Sequence, residues 1–265
     1  MTRPTFPAPS GSAAPTSDAS AVGAATPTLA AIVTGGARGI GFAIARMLAE
    51  EGYALTLSAR RPDSLEQAAE ELRALGVPVA THAANLAERG VADALASAHL
   101  AAHGRLDVLV NSAGVGATRP IEEMSDKLID LQLDVNLRAL FALHRTTAPL
   151  LRAAAAERGS ALVVNLASIT AARPEPHQSV YAATKAAVIA FTHAMNQELG
   201  PDGVRCTAIS PGYVRSEMTA FLHGRVAPQE MIAPEDVAGA VRWLLGASPA
   251  CVVAELPITR PGGVT

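Results

Sequence analysis

The sequence predicts a doubly wound α/β fold, a three-layer sandwich in which helices cover both faces of a parallel sheet of about seven strands. Short apolar stretches alternate with segments of helical periodicity along the chain from residue 28 onward. The helical segments have about ten residues or more, which is long enough for right-handed crossovers between parallel strands. A glycine-rich turn also separates the first strand from the first helix, at the place where such sheets bind ligands.

The first two strand and helix units lie in the segment that ends at Gly76. "LAAIVT" is a short apolar strand, and beyond the glycine turn apolar residues recur at helical spacing until Gly52. "YALTLSAR" has the composition of a second strand. The next helix is predicted to begin with a capping box at residues 63–66 and to end at Gly76, a typical glycine terminator.

The same alternation continues to the C-terminus of the chain. The later predicted elements are a strand at Val77 to Ala83, a helix at about Glu88 to His103, the strand "LDVLVN", a long helix before Gly159, the strand "ALVVNLAS", a helix through Tyr181 to Leu199, the strand "VRCTAIS", a helix at about Pro234 to Leu245, and a last strand in "VVAELPITRPGG". The sequence contains no internal repeat, so we expect a single domain over residues 28–265.

The first 27 residues differ in composition from the remainder of the chain. They consist largely of Pro, Ala, Ser, Thr and Gly, and they contain one early arginine and no apolar stretch of signal-peptide type. Such a composition cannot form a packed core, and it lacks the hydrophobic region that a secretory signal needs. We therefore expect a disordered N-terminal tail, residues 1–27, on a cytoplasmic protein.

The charge and the cysteines exclude several classes of function. The net charge is −3 and the arginines are scattered singly, so no basic stripe is present for a nucleic-acid backbone. Cys206 and Cys251 have no metal-ligand spacing and are expected to be free apolar side chains. Charged residues interrupt the apolar stretches before they reach the length of a membrane span. We expect no metal, no nucleic acid and no membrane.

The glycine turn "TGGARGIG" indicates an anion site. Gly35, Gly39 and Gly41 let the backbone approach a pyrophosphate at the N-terminus of the following helix, where free N–H groups and the helix dipole favour negative charge. The alternative is a glycine-rich turn that binds nothing. The spacing also differs from the common G-x-G-x-x-G pattern of dinucleotide-binding proteins.

Five further motifs follow in order. They are "NSAG" at residues 111–114, Asn136 in "LDVNLRAL", Ser168 in "VNLASI", Tyr181 and Lys185 in "SVYAATKAAV", and "SPGYV" at residues 210–214. Together with the glycine turn, they resemble the motifs of the short-chain dehydrogenases/reductases in their single-domain form, over residues 30–263. The resemblance implies a Rossmann-type fold, a nicotinamide cofactor and an oxidoreductase. Ser112 is a mild departure from the family pattern.

The tyrosine and lysine pair has a physical rationale of its own. Residues four apart lie on one helix face with Cβ atoms about 6 Å apart, so the Lys185 ammonium can approach the Tyr181 phenol. A cation there favours the phenolate and lowers the phenol pKa. The chain has 21 basic residues, of which only Lys127 and Lys185 are lysines. Because arginine is used at almost every other basic position, the lysine at position 185 indicates a function that needs an ammonium group and that a guanidinium cannot provide. The alternative is that Tyr181 only packs against its neighbours and that Lys185 is solvated. For Lys127 we expect a position on a solvated helix face.

The resemblance implies a role for each of the four catalytic residues. Ser168 and Tyr181 hydrogen-bond the substrate oxygen, and Tyr181 donates the proton. Lys185 holds the nicotinamide ribose and lowers the tyrosine pKa, and Asn136 holds a water of the proton relay. The alternatives are that Ser168 is a helix N-cap and Asn136 a polar residue within a helix that makes a local hydrogen bond.

The end of the second strand predicts the choice of cofactor. An acidic residue there would bind the adenosine ribose of NAD, but the sequence has Ala59 followed by Arg60 and Arg61, with Arg38 in the glycine turn. Arginine suits a phosphate dianion, so we expect NADP(H) in preference to NAD(H). The alternative is that these arginines are ordinary surface residues. Asn85 replaces an aspartate that the family often has near the adenine.

The resemblance also implies the residues that surround the ligands. The cofactor-binding residues are expected to be Gly35, Arg38, Gly39, Ile40, Gly41, Arg60, Arg61, Asn85, Leu86, Asn111, Ala113, Gly114, Tyr181, Lys185, Pro211, Gly212, Val214 and Ser216. The substrate is expected to contact Ser168, His177, Gln178, Met218, Phe221 and Leu222, in part through a short lid after the Pro-Gly turn.

We therefore expect a carbonyl reductase that transfers hydride between NADP(H) and a small carbonyl or secondary alcohol. The alternatives are an enzyme similar to 3-oxoacyl-(acyl carrier protein) reductases, although the aspartate common before their C-terminal glycine turn is missing, or an NADP(H)-binding sensor or scaffold without catalysis. The alanine-rich helix from Tyr181, with small residues such as Ala183, Ala187 and Ala190, predicts a homodimer or homotetramer.

Overall fold

The computed structural model describes residues 29–222 and 226–262 of the chain, with only the backbone of residues 220–222. At its centre is a seven-stranded sheet in which all neighbours are parallel, in the order β3-β2-β1-β4-β5-β6-β7. The strands are β1 Ala30–Thr34, β2 Ala54–Ala59, β3 Val79–Ala83, β4 Val108–Asn111, β5 Ala161–Leu166, β6 Val204–Pro211 and β7 Glu255–Ile258. The predicted doubly wound parallel sheet is confirmed, and the predicted tail lies outside the described residues.

Burial explains why the strands are continuous apolar stretches. Every residue of β1, β4, β5 and β6 is buried, because helices cover both faces of the central sheet. The two edge strands, β3 and β7, instead alternate between more and less exposed positions.

Within residues 29–222 and 226–262, seven α-helices form the two outer layers. They are α1 Gly39–Glu50, α2 Pro62–Arg73, α3 Val91–His103, α4 Asp126–Leu133, α5 Ala139–Arg158, α6 Ser179–Leu199 and α7 Pro234–Gly246. On one face α1 contacts both α2 and α7, and on the other α3 contacts α5 while α4 contacts α6. Two separate apolar clusters result, one under each helical layer.

Two predicted helix starts were wrong. The capping box at residues 63–66 does not form, because Pro62 already occupies the first helical position and Arg61 is the N-cap. Glu66 instead accepts hydrogen bonds from Arg73 and Thr81. The third helix begins at Val91 and not near Glu88, because Gly90 has a left-handed conformation with φ of 82°.

The long helix before Gly159 contains an interruption that the sequence did not reveal. Between α4 and α5, residues Asp134–Arg138 form a π-helical turn, so the segment from Asp126 to Arg158 is one interrupted helix. Such turns often lie at functional sites because they redirect individual residues. Here the turn contains Asn136, whose side chain is buried.

The connections place one cleft at the carboxyl edge of the sheet. The strand order reverses between β1 and β4, because β2 and β3 are added on one side of β1, whereas β5, β6 and β7 are added on the other side, beyond β4. Thr34 and Asn111 are register partners at the ends of these two strands. Beyond them, Thr34 Oγ1 accepts a hydrogen bond from Ala113 N at 3.2 Å. This bond ties the glycine turn to the loop after β4.

No helix in residues 29–222 or 226–262 is long and apolar enough to cross a membrane.

Two buried histidines predict acid lability. His99 is hydrogen-bonded to Thr56 Oγ1 through Nδ1 and to the Arg105 carbonyl through Nε2, both at 2.8 Å, so the neutral ring donates through Nε2 and accepts at Nδ1. His144 lies 3.1 Å from Asn165 Oδ1 through Nε2. Burial is the main cause that lowers the pKa of each histidine to about 4.

We expect stability to fall as the pH drops from about 6.5 to 4. Because the folded pKa values are depressed, the unfolded chain binds the protons first, and each histidine can cost up to about 3 kcal/mol at pH 4. Urea unfolding at a series of pH values measures the effect. His99→Gln should flatten the pH dependence, whereas the same change at the exposed His193 should not. Equal pH dependence in the two variants would contradict the assignment.

Candidate active site

The cleft at the carboxyl edge has a volume of about 1040 Å³. Its walls come from the turns that follow β1, β2, β3, β4, β5 and β6. Small-molecule sites usually span about 300–1,000 Å³, so the cleft has room for a ligand larger than a single small substrate.

The glycine turn is shaped by contacts that exclude side chains. Gly35 and Gly39 have φ values of 66° and 56°, in the left-handed region. A Cβ on Gly41 would lie 2.3 Å from the Gly35 carbonyl oxygen. The first turn of α1 has no acidic residue and its N-cap, Arg38, provides no side-chain cap. Its free N–H groups therefore face the cleft as anion donors, which fits a dinucleotide pyrophosphate.

The expected adenosine end of the cleft is basic. Arg60 and Arg61 both line it, and Ala59 stands at the end of β2 where an acid would bind a ribose. Arg38 also lines the cleft, but its guanidinium forms an ion pair with Glu217 of the lid segment, and both side chains are exposed. As a phosphate ligand, Arg38 would have to exchange this partner for the phosphate.

Asn85 and Leu86 line the cleft next to this end. The Asn85 side chain makes local bonds, donating to Glu88 Oε1 at 3.2 Å and accepting from Ala87 N at 3.3 Å. It therefore stabilises the turn after β3 and faces the cleft at the same time.

The serine and tyrosine meet at the other end of the cleft. Ser168 follows β5 and is the N-cap of a short 3₁₀ turn, Ile169–Ala171, where its Oγ accepts from Thr170 N at 3.2 Å. It also makes a side-chain hydrogen bond with Tyr181 in the first turn of α6. The capping role and the contact with Tyr181 thus coexist in one side chain.

Lys185 lies one helical turn beyond Tyr181 and is buried. Its Nζ donates to the Leu166 carbonyl at 2.6 Å and lies 5.7 Å from the centre of the Tyr181 ring. The bond to the end of β5 fixes the ammonium between the sheet and the cleft. Burial lowers the pKa of Lys185 to about 8, so the amine is still mostly charged at neutral pH.

The expected lowering of the tyrosine pKa was wrong. Burial raises the pKa of Tyr181, and the hydrogen bond with Ser168 opposes this only in part. The phenol is taken out of water, while the Lys185 ammonium is engaged by a backbone carbonyl. Tyr181 is therefore a protonated phenol at neutral pH.

Two asparagines lie behind the cleft wall. Asn136 Oδ1 accepts from Val115 N and its Nδ2 donates to Val115 O, both at 2.9 Å, while Nδ2 also donates to Thr184 Oγ1 at 3.0 Å. The side chain thereby clamps the loop after β4 onto α6. Asn111 is buried and donates to Asn165 Oδ1 at 2.8 Å, so it connects β4 to β5 and does not reach the cleft.

Most of the predicted ligand-binding residues share the cleft. Those that line it are Gly35, Arg38, Gly39, Ile40, Gly41, Arg60, Arg61, Asn85, Leu86, Ala113, Gly114, Ser168, Gln178, Tyr181, Lys185, Pro211, Gly212, Val214, Ser216 and Met218. His177 is exposed and lies outside the lining, with a left-handed φ of 67°. The side chains of Phe221 and Leu222 lie outside the described part of the chain.

Sequence reasoning missed several polar residues of the cleft, among them Glu175 and Tyr213. The Tyr213 hydroxyl donates to Glu175 Oε1, across the gap between the loop after β5 and the segment after β6. The only signal in the sequence was position, because Tyr213 follows the Pro-Gly turn and Glu175 lies between Ser168 and Tyr181. Within the described residues, no group of three His, Cys, Asp or Glu side chains could hold a metal.

Known proteins are similar to this chain in sequence and in fold. A family model described as short chain dehydrogenase matches residues 29–225. The chain is 35% identical over 204 residues to a 3-oxoacyl-[acyl-carrier-protein] reductase of Staphylococcus aureus, which covers 76% of this chain and 81% of the relative.

Solved structures with bound cofactors are also similar. An alcohol dehydrogenase from the archaeon Thermococcus sibiricus, complexed with 5-hydroxy-NADP, has a TM-score of 0.79 and 32% identity over 87% of this chain and 96% of its own. A 3-ketoacyl-(acyl-carrier-protein) reductase from Brucella melitensis, complexed with NADH, has a TM-score of 0.80 and 25% identity over 87% and 96%.

Proposed function

The chain belongs to the short-chain dehydrogenase family and is a nicotinamide-dependent oxidoreductase, and from this premise we propose that it reduces ketones or aldehydes with NADPH. The observation that supports the proposal most is the hydrogen bond between Ser168 and a protonated, half-buried Tyr181 in the same cleft as the glycine turn. Oxidation of NADPH, followed at 340 nm over a panel of ketones and aldehydes, tests it.

Each side chain has a defined task in the proposed reaction. When bound, the nicotinamide cofactor supplies the hydride that reduces the carbonyl carbon. Ser168 Oγ and Tyr181 Oη hydrogen-bond the carbonyl oxygen, and Tyr181 gives its proton to the alkoxide that develops there. The Lys185 ammonium stabilises the phenolate that Tyr181 leaves behind.

Asn136 acts mainly through the loop that it holds. Its amide is engaged with both polar groups of the Val115 backbone, and this fixes the wall of the cleft opposite α6. Its proposed part in the proton relay uses the second lone pair of Asn136 Oδ1. This oxygen and Lys185 Nζ both lie beside Gly114, because a Cβ built on Gly114 would be within 3.5 Å of each of the two atoms.

The protonation state of Tyr181 favours reduction at neutral pH. A raised pKa keeps the phenol protonated, which is the form that donates to a carbonyl oxygen. Oxidation of an alcohol needs the phenolate as base, so the proposed oxidation rate increases with pH while reduction does not require alkaline conditions.

The preference for NADPH rests on Arg60, Arg61 and the missing acid at Ala59. We expect Ala59→Asp combined with Arg60→Ile to lower the NADPH-to-NADH ratio of kcat/KM by about tenfold to hundredfold, because it removes a charge-assisted bond and adds a charge that repels the 2′-phosphate. Steady-state kinetics with both cofactors measures the ratio.

Arg89→Ile is the matched control, since Arg89 is exposed and outside the cleft lining. It should leave the cofactor ratio as in the wild type. A wild-type enzyme that already has the higher kcat/KM with NADH would contradict the NADPH proposal.

Reduction of an oxoacyl thioester is the second candidate function. The similarity to the Staphylococcus aureus 3-oxoacyl-[acyl-carrier-protein] reductase favours it. Comparing acetoacetyl thioesters with simple ketones in the same assay separates the two candidates. A non-catalytic sensor would have no need to retain Ser168, Tyr181, Lys185 and Asn136 in this arrangement.

We also propose a homodimer or homotetramer built on α6. Ala183, Ala186, Ala190 and Ala194 form an exposed stripe of small residues on this helix, and small side chains allow close helix packing. Phe141 of α5 is 41% exposed beside Phe191 of α6, with ring centres 4.6 Å apart. Light scattering of the purified protein at micromolar concentration is expected to give a dimer or larger, and a monomer would exclude this assembly.

A further inference from the structure

Glu175 places a carboxylate in the wall of the cleft near Tyr181. It lies in the loop between the 3₁₀ turn after Ser168 and the start of α6. Two side chains hold it in place, since Oε1 accepts from the Tyr213 hydroxyl and Oε2 accepts from Gln178 Nε2 at 3.1 Å. All three side chains line the cleft.

The bonds to Glu175 join two segments of the cleft wall, which follow the neighbouring strands β5 and β6. Tyr213 belongs to the segment after β6, and Gln178 directly precedes α6, three residues before Tyr181. The Gln178 carbonyl also accepts from Ala182 N at 2.8 Å, so this corner is continuous with the helix that carries Tyr181. Through Gln178, Glu175 is thus tied to the start of the helix that carries the proposed proton donor.

Charged side chains of both signs line the cleft, among them Glu71, Arg215, Glu217 and Glu235. Arg38, Arg60 and Arg61 lie in the turns that follow β1 and β2, whereas Glu175 lies in the loop between Ser168 and Tyr181. A carboxylate offers about four lone-pair positions, and the two bonds to Tyr213 and Gln178 use only half of them. The remaining positions can accept hydrogen bonds from a ligand and repel an anionic one.

We infer that Glu175, oriented by Tyr213 and Gln178, is a specificity-determining residue that selects carbonyl substrates with a hydroxyl group next to the carbonyl. The carboxylate accepts a hydrogen bond from that hydroxyl while Ser168 and Tyr181 bind the carbonyl oxygen. Ketones with a carboxylate or phosphate at this position are disfavoured. The inference rests on the proposed ketone reduction.

The test compares two ketones of nearly equal size that differ at one group. Acetoin carries a hydroxyl where 3-methyl-2-butanone carries a methyl. The wild type should have the higher kcat/KM for acetoin with NADPH. In Glu175→Gln the acetoin preference should fall about tenfold or more, because a bond to a charged acceptor is lost. Tyr213→Phe, which removes one orienting bond, should lower it by a smaller factor.

The control is Glu198→Gln, an exposed carboxylate near the end of α6 and outside the cleft lining. It should keep the wild-type preference. Circular dichroism and thermal melts confirm that each variant folds. An unchanged acetoin preference in folded Glu175→Gln would overturn the inference, even if both ketones are reduced well.

A second measurement separates this inference from the proposed function. If no ketone is reduced, the proposed function fails, and ligand-observed NMR of acetoin with the NADP⁺-saturated protein then decides the role of Glu175. Binding of acetoin that is lost in Glu175→Gln supports the site. Binding equal in both proteins, or absent from the wild type, overturns it.

Discussion

Tyr181→Phe is expected to lower kcat for carbonyl reduction by about 10²- to 10⁴-fold, the usual contribution of a positioned acid. The substitution removes the hydroxyl that is hydrogen-bonded to Ser168 but keeps the aromatic ring. The ring packs closely against Gly116, since a Cβ built on that glycine would lie 3.1 Å from a ring carbon of Tyr181. Cofactor affinity should change little, because Lys185 and the glycine turn are unaffected. Single-turnover reduction and fluorescence titration with NADPH measure the two quantities separately.

Tyr53→Phe provides the matched control for this prediction. Tyr53 also has a pKa raised mainly by burial, but it precedes β2 and does not line the cleft. Its loss should leave kcat close to the wild-type value. If Tyr181→Phe reduced an identified substrate at a similar rate to Tyr53→Phe, Tyr181 would not be the acid.

Local patterns in the sequence were sufficient to predict the sheet. Strands such as β1 and β5 are buried on both faces, so they appear as unbroken apolar stretches between helices. Helix starts were less predictable. Pro62 and Gly90 fixed two of them through backbone geometry, whereas the predicted capping box depended on side chains that instead bond to Arg73 and Thr81.

The parts of the candidate site that could be predicted are those formed by residues close together in the sequence. Tyr181 and Lys185 share a helix face, and Gly35 and Gly41 lie in one short segment between β1 and the start of α1, so these positions could be predicted from the sequence. Contacts between segments that are distant in the sequence could not be predicted in this way. The pair of Arg38 with Glu217, and that of Glu175 with Tyr213, each join loops that meet only when the sheet is assembled.

The pKa of Tyr181 likewise depends on contacts in the folded protein that the sequence does not show. Spacing indicated a cation within reach, and the structure places Lys185 Nζ 5.7 Å from the ring centre. The sequence could not reveal how deeply both groups are buried, and burial is the cause that raises one pKa and lowers the other. The sign of a pKa shift therefore depends on desolvation as much as on the neighbouring charge.

Gly41→Ala is expected to be the most damaging small substitution in the cofactor cleft. The new Cβ would lie 2.3 Å from the Gly35 carbonyl oxygen and 2.8 Å from its carbon, and both are backbone atoms that cannot rotate away. Overpacking of this kind costs about 1–3 kcal/mol. The glycine turn must shift, and the first N–H groups of α1 shift with it.

Because the same backbone is proposed to bind the pyrophosphate, NADPH affinity should fall by about tenfold to hundredfold, together with a lower Tm. Gly239→Ala is the control, since a Cβ at that position in α7 meets nothing within 4 Å. It should raise stability by about 0.5–1 kcal/mol and leave NADPH binding unchanged, because alanine is the better helix former. Calorimetric titration and thermal unfolding test both variants. NADPH affinity in Gly41→Ala equal to that of Gly239→Ala would show that the glycine turn does not bind the cofactor.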